Sequence, residues 1–246
     1  MEFGRNARDP IDSEEGVSRD VSGLSGMEEA SGTFRFKCPS NTLIAGSTQS
    51  GKTRFVRRVL ENAGDMFDRK IDHILYYYGV YQPLFTEMSK SIPGIEFIRG
   101  LPTEKTLARF NDGKNRVIVL DDLMEEVVSS KTVLDLFTRY AHHRSLNVLF
   151  LTQNIFQQGK YARTISLNCH YLVLMKQRDE SQIIRLGQQL YSGRRGFLLE
   201  AFRDATESSA YGYLLIDKHP RSPSRNTLRT DIFPGQYGIV YRERDA

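Results

Sequence analysis

The chain has no long apolar run. None of its 246 residues falls in a stretch approaching the ~18 consecutive apolar positions of a membrane span, and the N-terminus lacks the apolar core of a secretory signal. A membrane role is therefore not expected, and an intracellular protein, or one made inside a host cell, is the default. Cysteine is scarce as well. Cys38 and Cys169 are too few for a disulfide framework and have no metal-ligand spacing. The five histidines are scattered, and the adjacent His142 and His143 cannot share one helix face, so no histidine metal centre is expected. Strong charge of one sign is missing too, because the net charge is only +4.

That small total hides an asymmetry. Residues 1–32 hold eight acids and three arginines, a net of −5, and leave 31 basic and 22 acidic residues, or +9, for the rest. Residues 1–32 are also rich in Gly, Ser, Asp and Glu, which predicts a disordered or leader segment. The body at 33–246 is long enough for a single α/β domain with a sizeable core. Its surplus of +9 is compatible with a polyanion partner and equally with an ordinary soluble surface.

From Phe34 onward, strand-like and helix-like segments alternate. Apolar or β-branched runs predict strands at 42–45, 73–78, 95–98, 117–120, 148–151, 171–175 and 211–217. Helices are predicted at 54–60, 81–90, 103–110, 129–143, 161–167, 180–190 and 194–206. The Pro- and Arg-rich stretch at 219–235 reads as a surface wrap. Alternation of this kind implies an α/β fold, with a mostly parallel central sheet flanked by helices on both faces.

Gly46-Ser47-Thr48-Gln49-Ser50-Gly51-Lys52-Thr53 is a complete G-x-x-x-x-G-K-[ST] sequence. Its four fixed positions should coincide by chance in roughly one chain of this size in a hundred. A predicted strand precedes it and a predicted helix follows. That context aims backbone N–H groups and a helix dipole at an anion. All eight residues are expected to cradle the phosphates of ATP, with Lys52 reaching the β- and γ-phosphates and the Thr53 hydroxyl on Mg²⁺.

Two further motifs fall at strand ends. Arg116-Val117-Ile118-Val119-Leu120-Asp121-Asp122 carries two carboxylates to the C-terminal edge of a buried strand. Asp121 is expected to hold Mg²⁺ through its water shell, and Asp122 to orient or deprotonate the attacking water. Glu125 and Glu126 are nearby substitutes for Asp122. Val148-Leu149-Phe150-Leu151-Thr152-Gln153-Asn154 ends a buried strand in a polar triplet. Gln153 there can donate to a phosphoryl oxygen and accept from water. The strands at 73–78 and 95–98 lie in sequence between loop and acid, and this favours a motor ATPase over a small kinase. Tyr76, Tyr77, Tyr78 and Tyr81 could stack on bases, but half of a strand's side chains must face the core, so packing is the expected role.

The stretch from Tyr140 to Gln153 resembles the FtsK/HerA superfamily of DNA-pumping ATPases: a helix ending in Arg144, a turn, an apolar strand and a terminal Thr-Gln. The short phosphate loop and the double acid resemble its viral branch, the genome-packaging ATPases of poxviruses and Polinton-like elements. Leu215-Ile216-Asp217-Lys218-His219-Pro220 and Leu228-Arg229-Thr230-Asp231-Ile232-Phe233-Pro234 are similar to the C-terminal end of Polinton-type ATPases. This resemblance implies a RecA-like P-loop ATPase, working with ATP and Mg²⁺ as a homo-oligomeric ring, usually a hexamer, around double-stranded DNA. It implies a capsid vertex or terminal protein as a further partner, and the infected cell or virion as the setting. It also implies an arginine supplied by a neighbouring subunit. Arg144 matches the family's helix-end arginine, Arg178 is a second candidate, and Arg139 and Arg163 are weaker ones. Where this family usually has Glu as its second acid, Asp122 is one methylene shorter. A helicase, a conjugation-type translocase and a non-hydrolysing assembly scaffold are the alternative readings.

Overall fold

A computed structural model describes residues 27–29, 33–193, 196–223 and 227–242. Its strands are β1 (Met27–Glu29), β2 (Asn41–Ala45), β3 (His73–Tyr78), β4 (Ile95–Arg99) and β5 (Arg116–Asp121). They continue with β6 (Leu146–Thr152), β7 (Tyr171–Met175), β8 (Tyr213–Asp217), β9 (Leu228–Thr230) and β10 (Ile239–Tyr241). The helices before the second acid-bearing motif are α1 (Lys52–Glu61), α2 (Ala63–Met66), α3 (Leu84–Ser91) and α4 (Glu104–Ala108). After it come α5 (Met124–Ser129), α6 (Lys131–Asp135), a π-helical turn (Leu136–Tyr140) and α7 (Ala141–His143). The last three are α8 (Ala162–Leu167), α9 (Ser181–Leu190) and α10 (Phe197–Glu207).

All the strands join one sheet in the order β1-β10-β9-β8-β7-β2-β6-β5-β3-β4. The stretch from β7 to β4 is parallel throughout, whereas β8, β9, β10 and β1 extend it antiparallel from β7. The parallel strands are apolar on both faces because helices cover both. Ile118 and Leu120 join Leu43, Phe150 and Leu172 in a core under α5, α6, α9 and α10. Val117 and Val119 join Ile44, Leu149 and Val173 in a core under α1 and α3. Helix α1 buries Phe55, Val56, Val59 and Leu60, an i, i+1, i+4, i+5 stripe.

The expected mostly parallel α/β sheet is present, with four differences in detail. The stretch read as a surface wrap contains β9, fully buried in the sheet, and Ile232 and Phe233 are buried beside it. Within the segment expected to be disordered, Met27–Glu29 pairs with Ile239–Tyr241; the rest of 1–26 and 30–32 lies outside the described residues. A pairing across that sequence distance leaves no local signal. The helix expected from 129 starts at Lys131, where the Ser130 hydroxyl caps the Val133 amide. Finally, β3 and β4 lie outboard of β5, and the strand inserted between loop strand and acid strand is β6. One strand does separate the loop strand from the acid strand, but it is β6, not the strands at 73–78 and 95–98. Among the described residues no helix is long and apolar enough to cross a membrane.

Candidate active site

Strands β7, β2, β6 and β5 are parallel neighbours, so their C-terminal ends share one edge and the loops leaving them converge there. The loop after β2 is pinned on both sides. On one side the Gly46 amide donates to the Thr152 carbonyl at 3.2 Å. On the other, the Ser47 amide donates to the Lys176 carbonyl at 3.3 Å, and the Arg178 amide to Ser47 Oγ at 3.3 Å. Gly46 is required by close approach: a Cβ there would lie 2.6 Å from Met175 Cβ and 2.5 Å from Ser50 Oγ. Gly51 has φ 98°, which favours glycine, and it delivers the chain into α1. Lys52 Nζ donates to the Gly46 carbonyl at 2.7 Å and the Ser47 carbonyl at 2.9 Å. Burial lowers its pKa, and the charges of Asp121 and Asp122 work against that shift.

Asp121 closes β5 and is only 5% exposed. Its Oδ2 accepts from the Tyr76 hydroxyl at 2.7 Å and from Thr53 Oγ1 at 3.3 Å. Burial raises its pKa, against the opposing pull of those two hydrogen bonds. The carboxylate and the Thr53 hydroxyl are hard oxygen donors, one from β5 and one from α1. That pairing suits Mg²⁺, which takes one or two protein groups and completes its shell with phosphate and water. Asp122 is exposed at φ 55°, and its carbonyl lies 2.1 Å from where a Cβ on Gly79 would stand. Any side chain at position 79 would therefore push Asp122 out of place.

Gln153 leaves the end of β6. The turn beyond it is set by the Asn154 amide donating to Thr152 Oγ1 at 3.2 Å and the Ile155 amide donating to Gln182 Oε1 of α9 at 2.8 Å. Thr48, Lys52, Thr53, Asp121, Asp122 and Gln153 all line one cavity of about 740 Å³. Glu125 faces a separate adjoining cavity with Asn154 and Arg185, and Glu126 is exposed on α5. Of the acids considered for the second position, Asp122 is the one lining the cavity of the loop.

The arginines fall in different places. Arg144 precedes β6, at the edge where the parallel strands begin. The 7 residues of β6 separate it from Gln153 by roughly 20 Å. Its guanidinium lies 4.0 Å from the Tyr140 ring centroid and donates to the Leu107 carbonyl. Arg178 is exposed and flanks the loop of its own chain. Arg139 pairs with Asp135 at 3.5 Å, and Arg163 is exposed on α8. Tyr76 and Tyr77 are core residues, as expected, but the Tyr76 hydroxyl on Asp121 was not foreseen. Arg54 and Tyr211, which line the same cavity, were not foreseen either. A run of three tyrosines signals a strand, but nothing in it says which ring meets a carboxylate on a neighbouring strand.

No protein-family model and no curated protein sequence matches this chain. Solved structures do. The genome packaging NTPase B204 from Sulfolobus turreted icosahedral virus 2, in complex with ATP-γ-S, matches with a TM-score of 0.51 and 11% identity. The match covers 85% of this chain and 98% of that one. B204, the DNA-packaging ATPase from Sulfolobus turreted icosahedral virus, also matches with a TM-score of 0.51 and 11% identity, over 73% of this chain and 92% of that one. At such identity the likeness is one of fold: this chain has the α/β architecture of these P-loop ATPases.

Proposed function

We propose that this chain is an ATP hydrolase that drives double-stranded DNA into a viral or Polinton-like capsid. One observation carries the reading: Lys52, Thr53, Asp121, Asp122 and Gln153 meet in one cavity, with Gln153 on the strand between loop and acid. Lys52 and the loop amides hold the β- and γ-phosphates. Thr53 and Asp121 hold Mg²⁺, which offsets phosphate charge when bound. Asp122 accepts a proton from the attacking water, and Gln153 donates to the phosphoryl oxygen. The likeness of fold to genome-packaging NTPases and the surplus of +9 outside residues 1–32 support duplex DNA as the polymer moved. Turnover by the purified protein should rise with duplex DNA and much less with single strands. Stimulation by single strands alone would point to unwinding, and no turnover under any condition to an assembly scaffold.

Arg144 lies too far from its own loop to touch a phosphoryl group there, so its proposed role is toward the loop of a neighbour in a ring. Mixing Arg144→Ala subunits with Lys52→Ala subunits should partly restore turnover, since intact composite sites reappear at some interfaces. No rescue at any mixing ratio would remove Arg144 from this role and leave ring assembly without a trans arginine. Arg178 sits beside its own loop and is assigned a contact in cis. Ring size and the capsid partner belong to the same proposal.

A further inference from the structure

We infer that Tyr211 and Arg54 form the subsite for the purine base of ATP; this rests on the phosphate-loop reading above. The order β8-β7-β2-β6-β5 gives the cavity a direction. Asp121, Asp122 and Gln153 stand on the β6–β5 side of the loop, so the γ-phosphate end of a bound triphosphate points that way. The other end must then run toward β7 and β8. Strand β8 is antiparallel to β7, so the start of β8, rather than its end, reaches the site edge, and Tyr211 lies two residues before it.

Tyr211 is a large aromatic residue left 45% exposed at the wall of the cavity. Its position is fixed from two directions. Its ring backs onto Gly51, where a Cβ would come within 2.6 Å of Tyr211 Cδ1. The next residue, Gly212, presses against the end of α10, where a Cβ would lie 2.4 Å from the Ala205 carbonyl. Arg54 follows Thr53 on the first turn of α1, and its guanidinium carbon lies 4.9 Å from the Tyr211 ring centroid. The planar Arg54 cation lies over the Tyr211 ring at the far end of a phosphate cradle, and a purine can stack on the guanidinium plane and pack against the exposed part of the ring. Val80, Gln82 and Leu84 line the opposite wall, after β3 and outboard of β5, and so belong to the γ-phosphate side.

The test compares ATP with inorganic triphosphate, which has the phosphates but no base. The chain contains no tryptophan, so Tyr211→Trp supplies the sole one. Its fluorescence should change on adding ATP and stay constant with inorganic triphosphate. Tyr211→Ala should weaken ATP binding about ten- to a hundredfold and leave triphosphate binding unchanged, with Tyr211→Phe close to wild type. Unchanged ATP binding in Tyr211→Ala would overturn the base subsite. Equal weakening of both probes would overturn it too, because Tyr211 would then act only by shaping the loop at Gly51. Lys52→Ala is measured in parallel. If it binds both probes like wild type, or if wild type ignores triphosphate, the phosphate-loop reading falls and the base subsite with it.

Discussion

Lys52→Ala protein should hydrolyse ATP about a thousandfold more slowly than wild type and bind it weakly. Lys52 is the cation of the loop, held half-buried between the carbonyls of Gly46 and Ser47. In that position it faces Asp121 and Asp122, whose charges favour its protonated form. A triphosphate entering the cavity brings several negative charges toward those two carboxylates, and Lys52 offsets that repulsion. Alanine removes both the offset and two hydrogen bonds that shape the loop. Arginine should not rescue, because its planar fork cannot replace a compact ammonium between two carbonyls about 3 Å away. Phosphate release and calorimetric titration of ATP together check the result. Wild-type turnover in Lys52→Ala would mean that the loop is not the phosphate cradle.

Asp122→Asn is expected to separate binding from chemistry. Asparagine has nearly the same shape and tolerates positive φ, so the backbone at 55° and the contact of its carbonyl with Gly79 should persist. What disappears is the carboxylate proposed to accept the proton of water. Turnover should fall by about two to four orders of magnitude, while the affinity for ATP holds or improves as one negative charge leaves the cavity. Position 122 stands on a left-handed turn at the cavity wall. Unchanged turnover would move the base to another group. Weakened ATP binding would instead assign Asp122 to the metal.

Much of this arrangement could be read in the sequence, for a physical reason. Val117 to Leu120 and Val148 to Leu151 are continuously apolar because both faces of their strands are covered, and the residues after them mark where the sheet edge opens. Gly46 and Gly51 are there because side-chain atoms of Ser50 and Met175 approach the first and the Tyr211 ring approaches the second, so the loop motif reports a real constraint. Other features left no local trace. Strand β9 is three residues long and carries a buried arginine, Arg229, whose guanidinium lies 5.1 Å from the Phe34 ring centroid; its polarity disguised it as a surface tail. The place of β6 between β2 and β5 is set by long-range pairing, and chain order suggested the wrong intervening strands. Tyr76 and Tyr211 are ordinary tyrosines until the fold sets one against Asp121 and the other over Gly51.

The antiparallel strands beyond β7 also bear on motion. Strand opening begins where one side of a strand has no hydrogen-bonded partner. With β8, β9, β10 and β1 added, β7 is no longer terminal, and β2 and β6 lie well inside the sheet. Backbone amides of β2 and β6 should therefore be among the last to exchange with solvent, and those of β4 and β1 among the first. The loop proposed to grip phosphate is mounted on the slowest-opening part of the molecule, so under the proposed function strain from moving a polymer would be absorbed at the sheet's margins before it reached that loop.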